Sequence, residues 1–221
     1  SFKKSFIIIQ KKMNYYESQK INSDVVRKHF KSMKFHEEKW FNFSHNKHFE
    51  LVDDINNQNL IDKIKREYFD VVCLFGTSIL NENWLKLFPD KIINLHLGLS
   101  PFYRGSATLF WPFVNKELEF LGTTIHITAK KVDGGKILHR VLPNFIVNED
   151  YYNITLRLIR DSIDIFPQIV LNYLKGKIVP FNQENINGKY YKKMDFSEKD
   201  LLNVLEYTKN GLSENQIKQI K

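Results

Sequence analysis

Residues 71–97 read VVCLFGTSILNENWLKLFPDKIINLHL. Two apolar runs, Val71 to Phe75 and Ile92 to Leu97, flank a short helical segment around Trp84 to Phe88. Gly76 closes the first run and Pro89-Asp90 punctuates before the second. Upstream, Leu60, Ile61, Ile64 and Tyr68 recur at helical spacing. Helix, strand, helix and strand therefore follow one another, which predicts an α/β fold with a mostly parallel central sheet covered on its faces. The opening KSFIII reads as a first buried strand, whereas residues 10–50 show no decisive periodicity.

Downstream, Gly122 to Thr128 alternates with period two, with Ile125 and Ile127 on one face and Thr124, His126 and Thr128 on the other. Asp133-Gly134-Gly135 turns the chain into a second extended run, Lys136 to Leu142. Apolar residues at helical spacing from Tyr151 to Lys175 predict a long helix ending before Gly176 and kinked at Pro167. The catalytic domain is expected over 1–176. Residues 177–221 read as a small C-terminal appendage with two short helices, announced by Ser197 with Asp200 and by Ser213 with Gln216.

With 43% hydrophobic residues in 221, one ordinary core can be buried. The single cysteine, Cys73, excludes an internal disulfide framework and reads as a buried core thiol. The apolar run FIII near the start is far shorter than the ~20 residues of a membrane span. A cytoplasmic protein without a membrane partner is expected. The formal charge of +8, from 33 Lys plus Arg against 25 Asp plus Glu, favours a phosphate-bearing partner. Because Lys, Asn and Ile are all abundant, this balance does not by itself call for a nucleic-acid surface.

Several chemistries are excluded by what is missing. Dinucleotide and P-loop sites need glycines after the first strand so that backbone can approach phosphate, and residues 1–75 contain none. There is no GxSxG elbow for a serine nucleophile. His45 and His48 stand three apart, but no Cys pair, HExxH or paired Asp-rich loop accompanies them, so no metal is expected.

Two stretches carry chemistry: INLHLGLSPFYRG, 93–105, and TTIHITAKKVDGG, 123–135. Alternation puts Asn94 and His96 on one face at the C-terminal end of a strand, where open α/β folds bind ligands. Asp133 precedes a Gly-Gly turn that lets its loop come close to a ligand. Acyl transfer to an amine needs a donor at the developing oxyanion, a proton-handling group and a carboxylate to orient it. Asn94, His96 and Asp133 are of those three types. The amine is itself the nucleophile, so no Ser or Cys is required.

Asn-x-His at a strand end, followed later by Thr-x-His and a Val-Asp-x-Gly turn, resembles the 10-formyltetrahydrofolate-dependent formyltransferases. The likeness is clearest over Val71 to Leu142 and continues less distinctly to Gly176, implying a Rossmann-like formyltransferase fold. By this resemblance Asn94 stabilises the oxyanion, His96 acts as base or electrostatic partner at the amine, and Asp133 orients His96 and the folate. His126 would be supporting. Thr77, Ser78, Ile79 and Leu80, after Gly76, match the family's pterin-pocket segment, and Ala129, Lys130 and Val132 match the loop whose backbone pairs with the pterin. The co-substrate implied is N10-formyltetrahydrofolate. The family's frequent Pro-Ser-Leu-Leu-Pro appears here as LGLSP, and the N-terminal third does not align.

Among the branches, methionyl-tRNA formyltransferase carries a C-terminal β-barrel for which the residues after Gly176 leave no room, and the glycinamide-ribonucleotide enzyme has a Gly-rich loop absent here. The segments SPFYRGSATLFWP and GKYYKKMDFSEKDLL most resemble the sugar-nucleotide branch. The acceptor implied is a nucleotide-linked amino sugar, dTDP-4-amino-4,6-dideoxyglucose being the first choice, with C3 amination an alternative. Tyr103, Arg104 and Trp111 are the nucleotide or diphosphate contacts this suggests, although Trp111 beside Phe110 reads equally as core. A methionyl-tRNA formyltransferase-like enzyme, or an inactive nucleotide- or RNA-binding module, is the alternative reading. Nucleic acid is not the expected partner, and a homodimer is compatible with the sequence.

Overall fold

The computed structural model describes residues 5–11, 23–41 and 49–220. In chain order the elements are β1 (Ile7–Gln10), α1 (Asp24–Trp40), β2 (Phe49–Val52), α2 (Gln58–Arg66), β3 (Val72–Phe75), α3 (Glu82–Leu87), β4 (Ile92–His96) and β5 (Tyr103–Gly105). These are followed by α4 (Trp111–Val114), β6 (Thr123–Ile127), β7 (Ile137–Val141), α5 (Tyr151–Leu174), β8 (Lys189–Tyr191), α6 (Glu198–Tyr207) and α7 (Glu214–Gln219).

The α/β alternation yields parallel pairs in three places: β1 with β2, β3 with β4, and β5 with β8. The four-stranded sheet, in the order β3-β4-β6-β7, then continues with two antiparallel pairs. The reason is local for β6 and β7: residues 128–136, which contain the Asp133-Gly134-Gly135 turn, join them as a hairpin, and a parallel partner would have required a longer crossover.

Alternation along β4 and β6 decides which side chains meet which layer. Ile93, Leu95, Ile125 and Ile127 turn to one face and pack with Ile169 and Val170 of α5. The opposite face holds Asn94, His96, Thr124 and His126, while Ile92 joins Leu60, Ile61, Ile64 and Trp84 of α2 and α3. Trp84 also donates its indole N–H to the Ile55 carbonyl, which satisfies the polar atom of a 2% exposed ring. α5 runs continuously through Pro167.

Four sequence expectations change. Tyr68, placed by its spacing on the same helix as Leu60, Ile61 and Ile64, lies beyond it: the helix has ended by Glu67, and Tyr68 is at φ +52 and 91% exposed. Cys73 is exposed, because β3 is the outermost strand of its sheet among the described residues and buries Leu74 while Cys73 and Phe75 stay open. β1 is likewise only partly buried. Finally, the segment after Gly176, expected as an appendage, fills the largest core: Leu201, Val204 and Leu212 are buried with Tyr103, Phe110, Phe113 and Tyr151. Its helices start where the capping residues Ser197 and Ser213 place them. No helix is long and apolar enough to cross a membrane among the described residues.

Candidate active site

β6 runs antiparallel to β4 in a register that sets Asn94 opposite His126 and His96 opposite Thr124. Directly opposed residues share a face, and the Asn94 Nδ2 to His126 Nε2 distance is 3.2 Å. His126 Nδ1–H donates to the Ile127 carbonyl at 2.9 Å, which leaves Nε2 to accept from the Asn94 amide. Thr124 fixes the loop beyond His96, its hydroxyl donating to the Gly98 carbonyl at 2.7 Å and accepting the Ser100 N–H at 2.9 Å.

Asp133, at φ +49 in the hairpin turn, reaches back over the ends of these strands. Its Oδ1 lies 3.4 Å from His96 Nδ1 and 3.7 Å from His126 Nε2, while Oδ2 accepts the Gly105 N–H at 3.0 Å. His96 donates Nε2–H to the Tyr103 carbonyl at 3.1 Å, so Nδ1 remains as its basic nitrogen. The predicted convergence of Asn94, His96 and Asp133 is thus direct for the latter two and mediated through His126 for the first.

Burial holds His96 below its ordinary pKa although Asp133 and the Tyr103 carbonyl pull the other way; nearby Arg104 and His126 add to the lowering. For Asp133 burial works to raise the value, but contacts with His126, His96 and the Gly105 N–H outweigh it and hold the carboxyl below the usual range. At neutral pH a neutral imidazole therefore faces an ionised carboxylate. This arrangement can accept one proton between Nδ1 and Oδ1.

The cluster opens into a cavity of about 900 Å³. Thr77, Ser78, Ile79 and Leu80 line it, as do Ala129, Lys130 and Val132, so all seven residues assigned from sequence to the folate stand on its wall with the three chemical residues. Lys130 is paired at 2.8 Å with Glu82, at the start of α3. Thr128 Oγ1, on the same wall, is buried with no hydrogen-bond partner. An unmatched hydroxyl on this wall fits a heterocycle carrying donors and acceptors on its edge, as a pterin does. Among the described residues no group of three His, Cys, Asp or Glu is placed to hold a metal; His45 and His48 lie outside them.

Tyr103 and Trp111, expected at the substrate, are buried beside the cavity instead of on its wall. Tyr103 is 1% exposed and donates its hydroxyl to Glu117 at 2.5 Å; Trp111 is 4% exposed, stacks on Tyr191 with centroids 4.0 Å apart, and donates to the Ser106 carbonyl. Arg104 is half-buried with Nε unpartnered, close enough to His96 to lower its pKa. Sequence reading missed the wall contributed by His29, Phe30 and Met33 of α1 and by Tyr190 to Lys193. The first group lies where periodicity was weakest, and the second is polar sequence whose position depends on β8 pairing with β5.

Residues 6–170 match the formyl transferase family, so the match takes in the N-terminal third, for which the sequence alone offered no alignment. The fold is similar to that of the formyltransferase PseJ from Anoxybacillus kamchatkensis, solved in complex with UDP-4,6-dideoxy-4-formamido-L-AltNAc and tetrahydrofolate (TM-score 0.54, 22% identity, 78% of this chain and 85% of that one). It is also similar to a sugar N-formyltransferase from Shewanella sp FDAARGOS_354 (TM-score 0.59, 16% identity, 85% of each chain). A 4-N formyltransferase from Francisella tularensis gives a TM-score of 0.58 at 18% identity, over 81% of this chain and 74% of that one. At these identities the likeness to the three structures is one of fold.

Proposed function

The chain belongs to the formyl transferase family, and from that premise we propose that it transfers a formyl group from N10-formyltetrahydrofolate to the amino group of a nucleotide-linked amino sugar. The observation that carries this reading is the meeting of Asn94, His96, His126 and Asp133 on a cavity whose walls include residues 77–80 together with Ala129, Lys130 and Val132. PseJ, of similar fold, was solved with a formylated amino-sugar nucleotide and tetrahydrofolate, which supports the acceptor class. Within that class dTDP-4-amino-4,6-dideoxyglucose is the acceptor we propose.

N10-formyltetrahydrofolate supplies the formyl group and leaves as tetrahydrofolate. The Asn94 amide, oriented by His126 Nε2, keeps a second N–H for the negative charge that develops on the formyl oxygen. His96, neutral because it is buried, takes the proton that the attacking amine loses, at Nδ1, and the proton then passes to the folate N10 as the formyl C–N10 bond breaks. Asp133, anchored by Gly105, faces that nitrogen and stabilises the imidazolium as it forms. No covalent attachment to the protein is needed.

The test is tetrahydrofolate release with a panel of nucleotide-linked amino sugars aminated at C3 or C4, with mass spectrometry of the product. Turnover with a C4-amino dTDP-sugar is expected. Formylation of methionyl-tRNA with no nucleotide sugar turned over would overturn the proposal.

A further inference from the structure

The wall of the cavity extends beyond the chemical cluster and the two segments assigned to the folate. There Phe30, Phe110 and Phe196 give an apolar, aromatic wall, and Lys192 and Lys193 stand exposed at its edge. We propose that Lys192 and Lys193 receive the diphosphate of the acceptor, with the amino sugar reaching inward to His96 and Asp133; this rests on the acceptor class proposed above.

The lysines are held in fixed relation to the reacting groups by backbone. Tyr191, the residue before Lys192, pairs in register with Gly105, and its carbonyl accepts the Ser106 N–H at 2.9 Å. Gly105 in turn holds Asp133. Beneath this strand Tyr191 is stacked on Trp111 and Tyr103, and Asn115 donates to both the Tyr103 and Tyr191 hydroxyls. Tyr103 and Trp111 thus act on the acceptor through β8. A neighbouring carboxylate, Asp195, is occupied in part by the Lys192 backbone N–H at 2.6 Å. Two adjacent ammonium groups at a solvent edge attract phosphate oxygens without the desolvation penalty of a buried pair. The aromatic wall next to them suits the faces of a sugar or base.

The experiment is calorimetric titration of dTDP and of UDP into wild type, K192M/K193M and K192R/K193R, with circular dichroism to verify folding. Wild type should bind at least one of the two; the Met pair should weaken it about tenfold or more, and the Arg pair should restore most of the affinity. The acceptor KM should rise in the Met pair while kcat and the donor KM stay near wild type. Wild-type affinity in K192M/K193M, or no binding of either diphosphate by wild type, would overturn the inference. Lysine-dependent diphosphate binding without formylation of any nucleotide-linked sugar would instead defeat the proposed function and leave this site standing. Unchanged acceptor KM in an active Met pair would do the reverse.

Discussion

Gly105 donates its backbone N–H to Oδ2 of Asp133 at 3.0 Å, and it does so from φ +97, a conformation that side chains disfavour. A Cβ there would also sit 2.1 Å from the Tyr191 carbonyl oxygen, inside the β5–β8 ladder. One glycine therefore couples the carboxylate of the chemical cluster to the strand that leads into Lys192.

Gly105→Ala should consequently damage both packing and chemistry. Strain and ladder displacement predict a loss of about 1–3 kcal/mol, read from urea unfolding. The kcat should fall as well, since displacing residue 105 moves the backbone N–H that anchors Asp133. An Ala variant with wild-type stability and turnover would show that this link is dispensable.

Asn94→Ala removes the amide proposed to meet the formyl oxygen, and kcat should fall by about 10²–10³ with modest change in KM. His96→Asn keeps a polar group but cannot take a proton at neutral pH, so its effect also belongs in kcat. Asp133→Asn retains an acceptor for Gly105 while deleting the charge that faces His96, so turnover should drop with little change in stability. The combined losses should be smaller than the product of the single ones, because the residues act as one unit. Steady-state kinetics of the single and double variants would expose independent action as strict multiplicativity.

His29 gives a pH dependence to stability. It is 5% exposed, bonded through Nδ1 to the Tyr152 hydroxyl at 2.9 Å, and burial lowers its pKa to about 4. Between the ordinary value of 6.5 and about 4 the unfolded chain binds the extra proton, so stability should fall as pH drops through this window. The full loss is on the order of 3 kcal/mol. Denaturation midpoints from pH 7 to 4 should decline less steeply for His29→Asn than for wild type; parallel curves would refute the assignment.

Leu201→Ala tests whether the last segment is integral. Leu201 has 0% exposure in the core shared with Tyr103 and Phe113, so truncation should cost about 2–5 kcal/mol. Thermal unfolding in one transition at lower temperature is expected. An unchanged midpoint would mean that residues 177–221 do not support the main core.

Cys73→Ser is the contrasting substitution. A buried Cys73 would predict a clear loss of stability, but the side chain is exposed and, unlike its neighbours Leu74 and Phe75, does not line the cavity. The change should stay within about 0.5 kcal/mol and leave kcat intact. A large loss in chemical denaturation would restore the core reading of this strand.

Local pattern carried a good part of this protein. The periodicity of Leu60, Ile61 and Ile64, the long apolar helix ending at Leu174, the caps at Ser197 and Ser213 and the shared face of Asn94 and His96 are properties of neighbouring residues, and each appears where its spacing places it. They concern backbone conformation and side-chain direction, which short stretches of chain determine. The same pattern misassigned Tyr68 and Cys73, because an apolar side chain states a preference for burial and not the presence of a covering layer.

What only the tertiary structure decided is who stands opposite whom. The antiparallel register of β4 with β6 brings His126 to Asn94, the hairpin turn carries Asp133 to 3.4 Å from His96, and β8 lies beside β5 so that Lys192 and Lys193 join the cavity. Register and packing are set by contacts between segments far apart in the chain, and no periodicity within one segment encodes its partner. For the same reason Tyr103 and Trp111 looked like ligand contacts in sequence and became the stacked support under Tyr191.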